Sequence, residues 1–336
     1  MPDNSIMVSF TQATGPVEGR PKAPKEVMEK LSWLTEYDMT GLDLRNVHLR
    51  SWDGGKTWNK VSEDPFKSTM NGCTGEPETA LADGTILRGV WGQYLCYNPE
   101  LPKTGYIQRS KDGSKTWGKP EVLLDPKTQQ AWPKRIRVLR DGRVIVLGGL
   151  ANIDASKVNR AEVCAVLEPM LLVSGNKGRT WSKPIQVVPE KDRKGWAGEE
   201  YDAAELPNGD LLCVFRRTAP EGGHEVIWQG ILKKTGRTWV PQEVGPSPLP
   251  MAGHPEVLAT REGAVVFSSP YGCWYTSDKG KNWTKLEVPG TGYYPRSVQA
   301  DDGSILIFGH AGNDDPYGRV DQSIVMNTFK LEEVKN

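Results

Sequence analysis

Short apolar runs alternate with tight polar turns along the whole chain. Val144-Ile145-Val146-Leu147, Leu211-Leu212-Cys213-Val214-Phe215, Val265-Val266-Phe267 and Ile305-Leu306 are each preceded by a turn glycine and, before that, by another β-prone run. Arg137-Val138-Leu139 leads into Asp141-Gly142, Ala204-Glu205-Leu206 into Asn208-Gly209, and Val298-Gln299-Ala300 into Asp302-Gly303. Thr79 to Leu87 and Val257 to Phe267 have the same form. Asp-Gly and Asn-Gly between β-prone runs are hairpin signals, because the turn needs positive φ. The opening Pro2-Asp3-Asn4-Ser5 to Phe10 fits the same unit without its first strand, so the chain starts in the middle of a turn. Six units result. Helical periodicity is scarce; Pro24 to Leu34 is expected to form a short helix or a loop inserted in the first unit.

A second motif lies between these hairpins. Ser51-Trp52-Asp53-Gly54-Gly55-Lys56-Thr57-Trp58 returns as Ser110 to Trp117 and as Thr276 to Trp283. A copy from Ser174 to Trp181 has Asn176 in place of the Asp, and a worn one ends at Thr235-Gly236-Arg237-Thr238-Trp239. Ser, Thr and Asp side chains bond backbone N–H groups inside a turn. The closing Trp is a large apolar plug between sheets. This is hairpin chemistry, not a reaction centre. A pattern recurring every ~40–65 residues marks a repeat architecture. Small antiparallel sheets repeated radially make a β-propeller, so residues 1–336 are expected to form one all-β, six-bladed propeller domain whose first blade lacks its inner strand.

Composition narrows the function. Lys plus Arg and Asp plus Glu are both 42, giving zero net charge and no footprint for nucleic acid. No apolar run approaches the ~18 residues of a membrane span. The five cysteines, Cys73, Cys96, Cys164, Cys213 and Cys273, follow no metal spacing. Cys213 lies in an apolar run and is expected in the core. No signal peptide is visible; the compartment stays open, secretion or a periplasmic location being compatible with a removed leader. No cofactor is implied.

The turn glycine of each unit serves as a ruler. Nine residues before it the inner strand should start at one mouth of the channel; seven after it the second strand should end at the same mouth. The first position is Gly75, Pro133, Glu200, His254 and Tyr294; the second is Trp91, Gly149, Arg216, Pro270 and His310. A carboxylate, two imidazoles, a phenol and a guanidinium thus gather at one rim, the default site hypothesis for a channel mouth. Side chains alternate along strands, so Arg135 and Arg296, two residues inward, share the rim face.

With its repeated turn motif the chain resembles the sialidase superfamily of Asp-box propellers over essentially its whole length. The resemblance implies an exo-glycosidase whose ligand is a glycan, with a terminal sugar expected to be anionic. Glu200, in Glu200-Tyr201-Asp202-Ala203-Ala204-Glu205, is similar to the general base of that family, and Tyr294 falls at the nucleophile. Asp38, in Glu36-Tyr37-Asp38-Met39, resembles the acid/base, and Arg216 the second arginine of the carboxylate-binding triad. The other two triad arginines have no match, and His310 stands where a Glu pairs with the first. Arg135, Arg296, His254 and His310 are therefore the candidate replacements for substrate binding. The alternatives left open are a non-catalytic carbohydrate-binding propeller and a protein-binding one. The loop with His310, Asp314, Asp315 and Asp321 lacks an EF-hand spacing, and no metal is expected.

Overall fold

A computed structural model describes residues 1–16, 18–22, 25, 29, 40–65, 77–90, 104–154, 167–192, 200–218, 224–251, 253–290, 292–311 and 323–333. The fold is an all-β propeller of six antiparallel sheets. Blade one comprises β1 (Ile6–Thr14), β2 (Asp43–Ser51) and β3 (Asn59–Pro65). Blade two comprises β4 (Glu78–Ala80), β5 (Ile86–Val90), β6 (Tyr106–Ser110) and β7 (Glu121–Val122). Blade three follows with β8 (Gln130–Val138), β9 (Val144–Ala151), β10 (Glu168–Ser174) and β11 (Ile185–Gln186). Blade four has β12 (Tyr201–Glu205), β13 (Leu211–Thr218), β14 (Glu225–Thr235) and β15 (Thr238–Pro246). Blade five has β16 (Glu256–Ala259), β17 (Val265–Ser269), β18 (Gly272–Thr276) and β19 (Thr284–Leu286). Blade six has β20 (Tyr293–Gln299), β21 (Ile305–Ala311) and β22 (Ser323–Phe329). Strands pair in chain order, from the channel outward. Of the Pro24 to Leu34 stretch only Lys25 and Glu29 are described, both helical and 3.5 Å apart as an ion pair.

Apolar strands make the core because both faces of each blade are covered by neighbours. β5, β9 and β17 are buried at every residue. One cluster joins Ile145, Leu147 and Leu171 of blade three to Tyr201, Cys213 and Phe215 of blade four. Another joins Leu212 and Val214 to Val257 and Phe267 of blade five. Cys213 is a core thiol, and burial pushes its pKa well up. Cys73, Cys96 and Cys164 lie outside the described residues.

The recurring turn is closed from within. Ser51 Oγ accepts from Gly55 N at 2.8 Å, and Asp53 accepts from Thr57 N at 2.9 Å and from Thr57 Oγ1 at 2.6 Å. The same bonds recur around Asp112 and Asp278, and Asn176 reproduces the one to Thr180 N at 2.9 Å. Asn282, in the formal sequon Asn282-Trp283-Thr284, is a turn residue whose amide donates to Asp278 Oδ2 at 2.6 Å. The worn copy differs: Thr235 and Thr238 pair directly, so Gly236-Arg237 is a two-residue hairpin between long strands. It has neither the leading Ser nor the Asp that would hold the longer turn open.

Each turn docks on the preceding blade. Arg109 of blade two donates to Lys177 O at 2.7 Å in the blade-three turn, and Gln229 of blade four donates to Gly280 O at 2.6 Å in blade five. Trp283 Nε1 returns a bond to Gln229 Oε1 at 2.8 Å. The ring closes the same way. Trp58 of blade one meets Phe308 of blade six edge-on at 5.6 Å, and Gly55 sits where an added Cβ would come within 2.8 Å of Leu306 Cδ2.

Candidate active site

The inner strands bring polar side chains to the channel despite the apolar core, because only their lumen face escapes the neighbouring blades. Glu200 precedes β12, and its carbonyl accepts from Arg216 N at 2.9 Å, so the two residues sit side by side across β12 and β13. The Arg216 guanidinium donates to Glu200 Oε2 through Nη1 and to Glu225 Oε2 through Nη2. It is thus bracketed by two carboxylates, one on either side of its own strand. Burial alone would lower its pKa; Glu200 and Glu225 outweigh that and raise it.

Tyr294 reaches Glu200 from blade six, two blades further round the ring. Its hydroxyl lies 3.4 Å from Glu200 Oε1, the oxygen that Arg216 leaves open. The Tyr294 backbone has φ of 50°, an uncommon conformation for a bulky residue that implies local strain of about 1–3 kcal/mol. A register shift between Tyr293 and Arg296 accompanies it. Gly292 makes the approach possible, since a Cβ there would stand 2.2 Å from His310 O. The phenol ring then stacks on His310 at 6.2 Å and lies 6.5 Å from His254.

Beneath this rim lies a layer of buried charge. Asp202 accepts two bonds from Arg137, together with Ala203 N at 2.8 Å and Val257 N at 3.0 Å. Glu256 accepts from Ser297 N at 2.8 Å and Ser297 Oγ at 2.7 Å, and pairs with Arg135 at 3.2 Å. Arg135 Nε stays 3.8 Å from Asp202, and Arg137 takes that carboxylate instead. A bulge between Pro133 and Arg135 turns Arg135 toward blade five. There Arg135 Nη2 lies 3.0 Å from His254 Nδ1 and donates to Pro255 O at 3.2 Å. The same Nδ1 lies 2.9 Å from Pro255 O; a guanidinium only donates and a carbonyl only accepts, so the Nδ1 proton decides which of the two contacts is a hydrogen bond. Burial, then Arg135, Arg296 and Lys134, hold the His254 pKa well below 6.5. Its neutral ring lies beside that of Tyr294.

Arg296 donates to Pro295 O at 2.8 Å and lies against the cavity. No carboxylate pairs with it among the described residues. Burial and then Arg135 push its pKa down to about 9, so it still carries its charge at neutral pH. The cavity measures about 1580 Å³, and Arg135, Glu256, Tyr294, Arg296 and His310 line it.

The structure therefore brings Glu200, Arg216, Tyr294, His254 and His310 together, with Arg135 and Arg296 one layer deeper. Asp38, Gly75 and Trp91 lie outside the described residues, as do Asp314, Asp315 and Asp321. Among the described residues no group of three or more His, Cys, Asp or Glu is arranged to hold a metal ion. Sequence reasoning missed Glu225, Arg137 and Glu256. Glu256 stands two residues after His254, so the alternation rule that found Arg135 and Arg296 would have found it too. Glu225 carries no such signal, because it comes from the third strand.

No protein-family model matches the chain. A curated exo-α-sialidase of Aspergillus fumigatus is 27% identical over 173 residues, spanning 50% of this chain and 36% of that relative's length. The α-L-arabinofuranosidase of Fusarium graminearum, solved with arabinobiose, superposes with a TM-score of 0.62 at 18% identity, covering 87% of both chains. The intramolecular trans-sialidase of Ruminococcus gnavus, solved with oseltamivir carboxylate, also gives 0.62, at 13% identity over 99% of this chain and 93% of its own. The chain is a sialidase-like six-bladed propeller, the fold that these glycosidases share.

Proposed function

We propose that the protein is an exo-glycosidase that removes a terminal, anionic sugar with Tyr294 as nucleophile. The observation that carries this reading is the Tyr294 hydroxyl 3.4 Å from Glu200 Oε1, with Arg216 fixing the other carboxylate oxygen. A free phenol has a pKa of about 10 and attacks poorly at neutral pH. Glu200 takes its proton as the phenolic oxygen bonds to the anomeric carbon and the glycosidic bond breaks. Asp38 protonates the leaving oxygen, then activates the water that frees the sugar from Tyr294. A neutral nucleophile suits a sugar whose anomeric carbon bears a carboxylate, since a carboxylate nucleophile would be repelled. Arg296 supplies the cation that faces such a group, because Arg216 is already held by two carboxylates.

That last point also favours a second reading. With Arg216 engaged by Glu200 and Glu225, a neutral sugar such as an α-L-arabinofuranoside meets no unpaired arginine among the described residues of the rim. A panel of aryl α-sialosides, uronides and α-L-arabinofuranosides separates the two. Hydrolysis confined to the anionic members supports the first reading, and hydrolysis of the arabinofuranoside alone supports the second. In either case Tyr294→Phe should lower kcat by about a thousandfold or more while the fold persists. Sugar binding without turnover of any member would replace both by a lectin-like role.

A further inference from the structure

Three consecutive strands of blade four carry one row of charge. Glu200 lies opposite Arg216 across β12 and β13, since Arg216 N donates to Glu200 O at 2.9 Å. Across β13 and β14, Arg216 is opposite Ile227 and Thr218 is opposite Glu225. Paired residues share a face and side chains alternate along a strand, so Glu200, Arg216 and Glu225 project from the same face of the sheet. The row runs carboxylate, guanidinium, carboxylate from the channel outward. Exposure rises in the same direction, from 18% for the Glu200 side chain to 25% for Arg216 and 40% for Glu225.

Glu200 and Glu225 divide the guanidinium between them. Nη1 donates to Glu200 and Nη2 to Glu225, while Nε is buried without a partner among the described residues. The two carboxylates are not equivalent. Glu200 also faces the Tyr294 hydroxyl at 3.4 Å, so the Nη1 contact belongs to the base of the candidate nucleophile. Nη2 is the end on the exposed side of the row, where the carboxylate of a ligand would complete a planar fork. Glu225 stands there instead. Pushed aside by such a ligand, it would stay anchored as the first residue of β14, with its charge facing a like charge.

We propose that Glu225 sets the charge preference of the candidate site, by keeping the carboxylate of a sugar off Arg216 so that the subsite beside it takes a hydroxyl or another uncharged group. It is a specificity residue that acts through Arg216. This role rests on the proposed function in placing a sugar against Tyr294 and Glu200, but not on turnover. An anionic sugar held by Arg296 and a neutral sugar are both compatible with it. What Glu225 excludes is a carboxylate on Arg216.

Binding without turnover tests this. The probes are N-acetylneuraminic acid and glucuronic acid, each beside its methyl ester, which has nearly the same shape without the charge. Ligand-observed NMR at neutral pH gives their dissociation constants for the wild type, Glu225→Gln, Arg216→Ala and the double variant, a cycle that isolates the coupling. Glu225→Gln keeps the size of the side chain and removes its charge. In that variant the preference for acid over ester should rise about tenfold or more, the size of one charge-assisted hydrogen bond gained by the acid. In the double variant the rise should vanish, because it passes through Arg216. A preference that changes by less than about twofold on Glu225→Gln would overturn the proposal. So would a rise that survives Arg216→Ala, or the failure of every probe to bind Glu225→Gln. Hydrolysis in the glycoside panel with no such coupling would sink the role of Glu225 alone; coupling with no hydrolysis would uphold it while the glycosidase reading falls.

Discussion

Asp202→Asn is the sharpest test of the charged layer beneath the rim. The carboxylate is fully buried and accepts from Arg137 twice, from Ala203 N and from Val257 N. The substitution removes the charge that faces Arg137 and Arg135 and turns an amide N–H₂ toward donors. Breaking a buried pair by removing one partner costs about 3–5 kcal/mol. Unfolding entropy is about 2.1 cal/mol/K per residue, so a chain of 336 residues loses about 0.7 kcal/mol of stability per degree near Tm. The variant should therefore melt about 4–7 °C lower in scanning calorimetry. The pH dependence follows from the shift. Burial raises the Asp202 pKa, but Arg137 and then Arg135 outweigh it and leave it below 3.8. Its contribution is present above 3.8 and is lost as pH falls through the folded-state value. The gap between variant and wild type should hold at neutral pH and shrink in acid below 3.8. A Tm within about 1 °C of wild type at neutral pH would refute the argument, since it would mean that the arginines are not held by Asp202.

Three further outcomes are expected. Gly55→Ala places a Cβ 2.8 Å from Leu306 Cδ2 at a φ of 92°, and should lower stability by about 1–3 kcal/mol in urea titrations. Arg216→Lys loses the fork that spans Glu200 and Glu225, and should lower kcat on any substrate the panel identifies by about ten- to a hundredfold without unfolding the protein. The folded-state pKa of His254 is held below its unfolded value of 6.5, so wild-type stability should fall as pH drops below 6.5. His254→Gln should flatten that slope; an unchanged slope in denaturation midpoints would show that His254 is not the group responsible.

The ring was legible because its turns are local. Ser51, Asp53 and Thr57 satisfy one another within a few residues, so their spacing alone identifies the turn. Of the ruler's positions, Glu200 and Arg216 stand side by side because the β12–β13 pairing is regular, whereas Tyr294 and His310 stack across a register shift in blade six. The ruler was less informative for Arg135, where the bulge at Pro133 redirects the side chain toward His254 and Glu256. Partner choice among buried ions depends on angles between blades, and no spacing along one strand encodes those. Hence Arg137, rather than Arg135, grips Asp202. The worn turn at Gly236 was over-read, since a Gly and a Trp at the right distance also fit a plain two-residue hairpin.

The docking of each turn on the blade before it has an implication for how the polypeptide can be cut and rejoined. Trp58 against Phe308 and Gly55 against Leu306 make the junction of blades six and one out of the same kind of contact as the junctions within the chain. At such a junction, covalent linkage adds proximity but no contact that the turn lacks. A circularly permuted protein, with its ends joined and new termini opened between β15 and β16, would keep every turn docked as before. The order of blades around the hub is thus written in surfaces, and the order of residues along the backbone is one of several ways to deliver them.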